Sequence, residues 1–233
     1  MLIEVDGVSH TYGDGPLART VLREVSVRLG ERRIGIIGAN GSGKSTFARM
    51  LNGLVLPTTG SVRVDGHDTR KDGRAVRRRV GFCFTDPDAQ IVMPTVQEDV
   101  AFGLRRRGWS KQEVASRVGA ALAAYGLAGH ADHPAHLLSG GQKQLLALAS
   151  VLLTEPDLLV MDEPTTLLDL RNAQRVARVV AELPMPVVLL THHLDLLADF
   201  DRVLVFDDGR ITFDGAPGEA IAAYRELMAR DGT

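Results

Sequence analysis

Cys83 is the only cysteine in 233 residues. No disulfide can therefore form within the chain, and a single thiol fits a reducing compartment. Set in Val80-Gly81-Phe82-Cys83-Phe84, it reads as a core filler. No run approaches the roughly 18 consecutive apolar residues of a membrane-spanning helix, and Met1-Leu2-Ile3-Glu4 lacks the apolar core of a secretion signal. The chain is thus expected to stay in the cytoplasm. Neither sign of charge is in excess: 27 Lys and Arg face 29 Asp and Glu, a formal −2. That balance removes any general electrostatic reason to expect a nucleic-acid partner, and the runs Arg77–Arg79 and Arg105–Arg107 read as solvated faces. Internal repeats, low-complexity tracts and long linkers are also missing. What remains is 45% apolar content, enough to bury one sizeable core.

Against that background one run stands out, Gly38-Ala39-Asn40-Gly41-Ser42-Gly43-Lys44-Ser45-Thr46. It follows a short apolar segment, Arg33 to Ile37, that predicts a buried strand. It precedes Thr46 to Leu51, which can propagate as a helix. Strand, glycine-rich turn and helix with G-x-x-x-x-G-K-[ST] spacing form a P-loop. The backbone N–H groups of Gly41 to Lys44 would turn inward on phosphate oxygens at the positive end of a helix. Asn40, Gly41, Ser42 and Gly43 are therefore candidate nucleotide-binding positions. Lys44 would reach the β- and γ-phosphates, Ser45 would bind Mg²⁺ through its hydroxyl, and Thr46 would contact the α-phosphate side.

A second signal lies downstream. Leu158-Leu159-Val160-Met161 is an apolar strand that ends in Asp162-Glu163 and is stopped by Pro164. Paired with a P-loop this is a Walker B pattern. Asp162 would complete the Mg²⁺ shell beside Ser45, and Glu163 would orient or deprotonate the attacking water.

Between the two motifs lies Leu138-Ser139-Gly140-Gly141-Gln142. This pentad resembles the signature of ATP-binding cassette ATPases, and the resemblance extends over nearly the whole chain. It implies a P-loop NTPase of α/β class, with a RecA-like mixed sheet core, an antiparallel β subdomain and an inserted α-helical subdomain. Within a single nucleotide-binding domain over 1–233, the core and antiparallel portion would occupy 1–86 and 139–233, and the helical subdomain 87–138. The resemblance further implies a head-to-tail dimer with two ATP molecules at the interface. In it Ser139, Gly140, Gly141 and Gln142 would face the γ-phosphate held by the second subunit. Tyr12 in His10-Thr11-Tyr12-Gly13 matches the aromatic that stacks on adenine. Asp169 matches a loop that crosses the interface, and His192, after Val187 to Thr191, matches the switch histidine that bonds the γ-phosphate. His193 beside it reads as a surface residue.

The family usually carries glutamine after the strand Val80–Phe84, but here Thr85 stands there. The shorter side chain either reaches the metal through a bridging water or has surrendered the contact. Beyond it, Pro87-Asp88-Ala89-Gln90 and Thr95-Val96-Gln97-Glu98-Asp99-Val100-Ala101-Phe102-Gly103 resemble the ATPases of energy-coupling factor transporters. There such segments help grip helices of a membrane partner, and Gln90 would belong to that coupling surface. Apolar spacing at Val114, Val118, Ala121, Leu122 and Tyr125 predicts a helix within this lobe. Stretches 2–5, 21–29 and 61–64 predict antiparallel strands. Asp207 to Arg210 predicts a hairpin turn, and Pro217 opens a final helix to about Ala229.

The short C-terminal part is similar to the biotin-type members. The resemblance thus implies an ATP- and Mg²⁺-dependent subunit powering vitamin or metal-ion uptake, biotin before cobalt or nickel. Its partners would be a second copy or a paralogous ATPase, an integral membrane scaffold and a substrate-capture membrane subunit. A conventional importer with an external binding protein, or a soluble cassette ATPase acting on a macromolecule, are the alternatives. The short stretch between Thr46 and Leu138 and the single cysteine argue against the second.

Overall fold

The computed structural model describes residues 1–105 and 108–230; Arg106 and Arg107 of the second arginine run, with residues 231–233, lie outside the described residues. In chain order the strands are β1 (Ile3–Tyr12), β2 (Arg19–Leu29), β3 (Arg33–Gly38), β4 (Thr59–Val64), β5 (His67–Asp68), β6 (Val80–Cys83), β7 (Leu158–Asp162), β8 (Val187–Leu190), β9 (Arg202–Asp207) and β10 (Arg210–Gly215). The α-helices are α1 (Lys44–Leu51), α2 (Gly73–Arg79), α3 (Val96–Phe102), α4 (Lys111–Ala124), α5 (Gly140–Leu152), α6 (Leu170–Glu182) and α7 (Pro217–Arg230). They fall into two compact units, one of Met1–Val80, Asp157–Glu163 and Pro184–Thr233, the other of Gly81–Pro156 and Pro164–Leu183.

In the first unit, β2-β1-β4-β5 form an antiparallel sheet. Val25, Val27 and Leu29 of β2 are buried at every second position, as a sheet with one buried face requires, and Leu22 is buried three positions before Val25, across the irregularity at Glu24. The five strands β10-β9-β3-β8-β7 run side by side in a second sheet. Here β3 lies parallel to both β8 and β9, and β7 parallel to β8. These central strands do not alternate. Ile34, Ile36 and Ile37 of β3 and all four residues of β8 are buried, the pattern of parallel strands covered on both faces. Strands β9 and β10 close as a hairpin through Asp208 and Gly209, at φ 38° and 74°, the left-handed pair of a tight two-residue turn. Phe47 of α1 packs on Phe206 of β9 with ring centroids 5.1 Å apart, which anchors the helix that follows the P-loop.

The second unit is mainly helical, and the sequence writes its helix starts plainly. Thr95-x-x-Glu98, Ser110-x-x-Glu113 and Ser139-x-x-Gln142 each form a capping box before α3, α4 and α5, satisfying N–H groups that the first turn leaves open. The buried Asp99 carboxylate accepts from Val92 N (2.8 Å), Met93 N (3.1 Å) and the Ser150 hydroxyl (3.0 Å), so it fastens the loop before α3 to α5. This unit is wider than the helical segment 87–138 expected from sequence. It begins at Gly81 and includes α5 and α6, because α3 and α4 pack on α5, and α5 on α6. Among the described residues no helix is long and apolar enough to cross a membrane.

Candidate active site

The P-loop leaves β3 and enters α1 through Gly43, whose φ of 101° lies where an L side chain is strained. Space forbids one as well: a Cβ on Gly43 would stand 2.8 Å from Leu22 Cδ2 and from the Val21 carbonyl. The turn brings Lys44 inward until only 4% of it is exposed. Its ammonium donates to the carbonyls of Gly38 (2.7 Å) and Ala39 (2.9 Å) and stands 4.0 Å from Glu163 Oε1. Burial lowers the Lys44 pKa from its ordinary value, while the Glu163 and Asp162 carboxylates work to keep the charge.

Strand β7 delivers the acids. Asp162 is 1% exposed; its Oδ1 accepts from the Ser45 hydroxyl at 2.8 Å, and Oδ2 lies 3.6 Å from Arg49. Burial raises the Asp162 pKa, opposed by the Ser45 hydrogen bond and by Arg49. Glu163, the next residue, takes a left-handed φ of 51° while its N–H donates to the Leu190 carbonyl at 3.0 Å. The chain thereby leaves the strand sharply, and the carboxylate meets His192 Nε2 at 2.7 Å. Buried Thr191 steadies that histidine loop, its hydroxyl accepting from His193 N at 3.0 Å; His193 is exposed.

A cavity of about 400 Å³ opens above the P-loop, lined by Tyr12, Arg19, Asn40, Lys44, Thr46 and Glu163 among others. Tyr12 is 42% exposed. Its hydroxyl lies 3.4 Å from Thr46 Oγ1, and its ring takes His10 edge-on with centroids 4.4 Å apart. The first unit thus brings together Tyr12, Asn40 to Thr46, Asp162, Glu163 and His192.

The other expected positions belong to the second unit and are described within it. Ser139 is the N-cap of α5. Its N–H donates to Gln142 Oε1 (2.9 Å), its Oγ accepts from Gln142 N (3.4 Å), and Gln142 Nε2 lies 3.1 Å from His130 Nε2. Gly140 is exposed and Gly141 buried; a Cβ on Gly141 would collide with the Asn172 side chain. Asp169 is the N-cap of α6, accepting from Asn172 N at 2.8 Å, and lies between the exposed Leu167 and Leu170. Thr85 sits half-buried just past β6. Gln90, expected on a coupling surface, spends its amide inward: Oε1 accepts from Phe84 N (3.2 Å) and Nε2 donates to the Ala147 carbonyl (3.2 Å).

Sequence reasoning passed over Arg49, Arg19 and His130. Arg49 sits four positions after Ser45 on α1 and was readable as its helical neighbour. The other two emerge only from pairing across the fold.

Known proteins resemble this chain. A family model described as "ABC transporter" matches residues 22–166. The chain is similar to the biotin transport ATP-binding protein BioM of Rhizobium etli, 48% identical over 98% of this chain and 100% of that one. It is also similar to the energy-coupling factor transporter ATP-binding protein EcfA1 of Symbiobacterium thermophilum, 46% identical over 97% of this chain and 83% of the relative. Among solved structures, cbiO1 of Clostridium perfringens, described as part of the ABC transporter complex cbiONQ, superposes with a TM-score of 0.81 at 31% identity, over 98% of this chain and 93% of that one.

Proposed function

Because the chain belongs to the ABC transporter family of ATPases, we propose that it is the ATP-hydrolysing subunit of an energy-coupling factor transporter that takes up a vitamin or metal ion, with biotin favoured. The observation that carries the catalytic part is the contact of Glu163 with both Lys44 (4.0 Å) and His192 (2.7 Å) at the rim of one cavity. Lys44 and the P-loop amides hold the phosphates. Glu163 sits where it can take a proton from, or orient, a water attacking the γ-phosphate, and His192 steadies that carboxylate. Tyr12 supplies a flat face for adenine.

The donor set fits Mg²⁺. Ser45 hydroxyl and Asp162 carboxylate already converge at 2.8 Å, both are hard oxygen donors, and among the described residues no group of three His, Cys, Asp or Glu side chains could hold a metal. An ion that keeps several waters and takes further ligands from phosphates suits such a sparse pair. Ser45 and Asp162 would hold it, and bound there it would neutralise charge on the phosphate oxygens.

Ser139 to Gln142 would close on ATP held by a second copy or a paralogue, since an exposed helix start with Gly140 in its first turn offers N–H groups to phosphate. ATP-driven closure would move an integral membrane scaffold, with a separate membrane subunit capturing the cargo. The chain would then lie peripherally on the cytoplasmic membrane face, without contact to nucleic acid. The test is to purify the tagged chain from native membranes and identify its companions by mass spectrometry. Two small integral membrane proteins without an external binding protein are expected; an external binding protein would favour a conventional importer, and no membrane protein would sink the transport reading.

A further inference from the structure

Arg19 opens β2 directly opposite Tyr12 of β1, the two being Cα partners in the antiparallel ladder. Residues so paired project from the same face of a sheet, and both line the cavity above the P-loop. The guanidinium extends over the glycine turn: a methyl group built on Gly41 would stand 3.8 Å from Arg19 Nη2. Five other arginines of this unit pair with carboxylates. Arg23 meets Asp208, Arg28 meets Glu4, Arg49 meets Asp162, Arg79 meets Asp157, and Arg202 meets Asp214. The Arg19 side chain pairs with no carboxylate among the described residues.

An exposed arginine without a carboxylate is ordinary on a protein surface; one at the mouth of a phosphate cradle is not. Lys44 is the other cation lining that cavity, and two of its three donors are already given to the Gly38 and Ala39 carbonyls. A nucleoside triphosphate brings several negative charges to this place. A planar guanidinium matches phosphate oxygens by geometry as well as charge.

We propose that Arg19 is a nucleotide-binding residue whose guanidinium donates to the phosphate chain over the glycine turn. It holds the ligand without taking part in bond breaking. The inference rests on the ATPase reading for the identity of its ligand. It predicts uniform binding, which raises KM and leaves kcat alone.

The test is titration of ATP into the wild-type chain and the Arg19→Ala and Arg19→Lys variants at low and high salt, alongside steady-state hydrolysis. Because the position is exposed, the variants are expected to fold, with an unchanged thermal midpoint. Arg19→Ala is expected to bind ATP about tenfold more weakly at low salt, a gap that narrows at high salt as charge is screened. Arg19→Lys is expected to recover part of the loss, and kcat to stay within about twofold. Equal affinity of wild type and Arg19→Ala would overturn the proposal while leaving the ATPase reading standing. A loss that salt does not change would also overturn it, since that marks a contact that is not ionic. A wild-type chain that binds no ATP would overturn both.

Discussion

Glu163 holds a backbone conformation that costs a non-glycine residue on the order of 1 kcal/mol or more, at φ 51°, and the turn it makes is what sets its carboxylate against His192. As the proposed base it can be tested without disturbing that turn. Glu163→Gln is expected to lower kcat by roughly 100-fold or more while ATP still binds, and His192→Ala to lower kcat with little change in nucleotide affinity. Stopped hydrolysis assays alongside equilibrium titration separate the two quantities, and full turnover in Glu163→Gln would remove Glu163 from the chemistry. A second single-residue expectation concerns Cys83, fully buried with a thiol pushed up from 9.0 to about 12. Burial disfavours the thiolate, so the folded chain keeps its proton between about pH 9 and 12 while the unfolded chain releases it. Stability should therefore fall as pH rises through that window, by up to about 1.4 kcal/mol per unit. Alkylation at pH 8 is expected only after unfolding; rapid labelling of the native chain would show the thiol to be accessible.

The second of the two glycines that begin helix α5 is there for a reason of space. Gly141 lies against Asn172 of α6 so closely that a Cβ has no room, and Asn172 in turn is bonded through N and Nδ2 to the Asp169 carboxylate at 2.8 and 3.1 Å. Gly141→Ala is therefore expected to destabilise the chain by about 1–3 kcal/mol and Gly141→Ala with Asn172→Ala to regain much of that; thermal or denaturant unfolding reads both. A double variant no better than the single would place the strain elsewhere. The same elements show what a sequence makes legible. The P-loop, the three capping boxes and the β9–β10 turn are specified by residues within a few positions of one another, so spacing alone reveals them. The P-D-x-Q and T-V-x-E-D segments were readable as a likeness but not in their local work: Gln90 ties Phe84 to Ala147 and Asp99 ties the preceding loop to Ser150, partners more than fifty positions away in the second case of each. Arg19 was invisible for the same cause, since only the register of β1 on β2 sets it opposite Tyr12. His130 meets Gln142 across the turns that lead into α5, a contact that no periodicity announces.

At the scale of the molecule, Ser139 and Gly140 of the proposed signature are exposed at the start of α5, and Leu167 and Leu170 flank Asp169 at 64% and 76% exposure. Apolar side chains that open to solvent next to a polar loop suit a face covered part of the time. Light scattering after gel filtration is expected to give a monomer for the nucleotide-free chain and a dimer for Glu163→Gln with MgATP; a monomer under both conditions would count against closure between identical copies and point to a paralogous partner. The lysine of the P-loop is positioned by the backbone around it. Its ammonium is bonded to two carbonyls of its own loop, those of Gly38 and Ala39, so a long flexible side chain is fixed in one place by the turn it belongs to. A cation held in place in this way has little rotamer freedom left to lose when a phosphate reaches it.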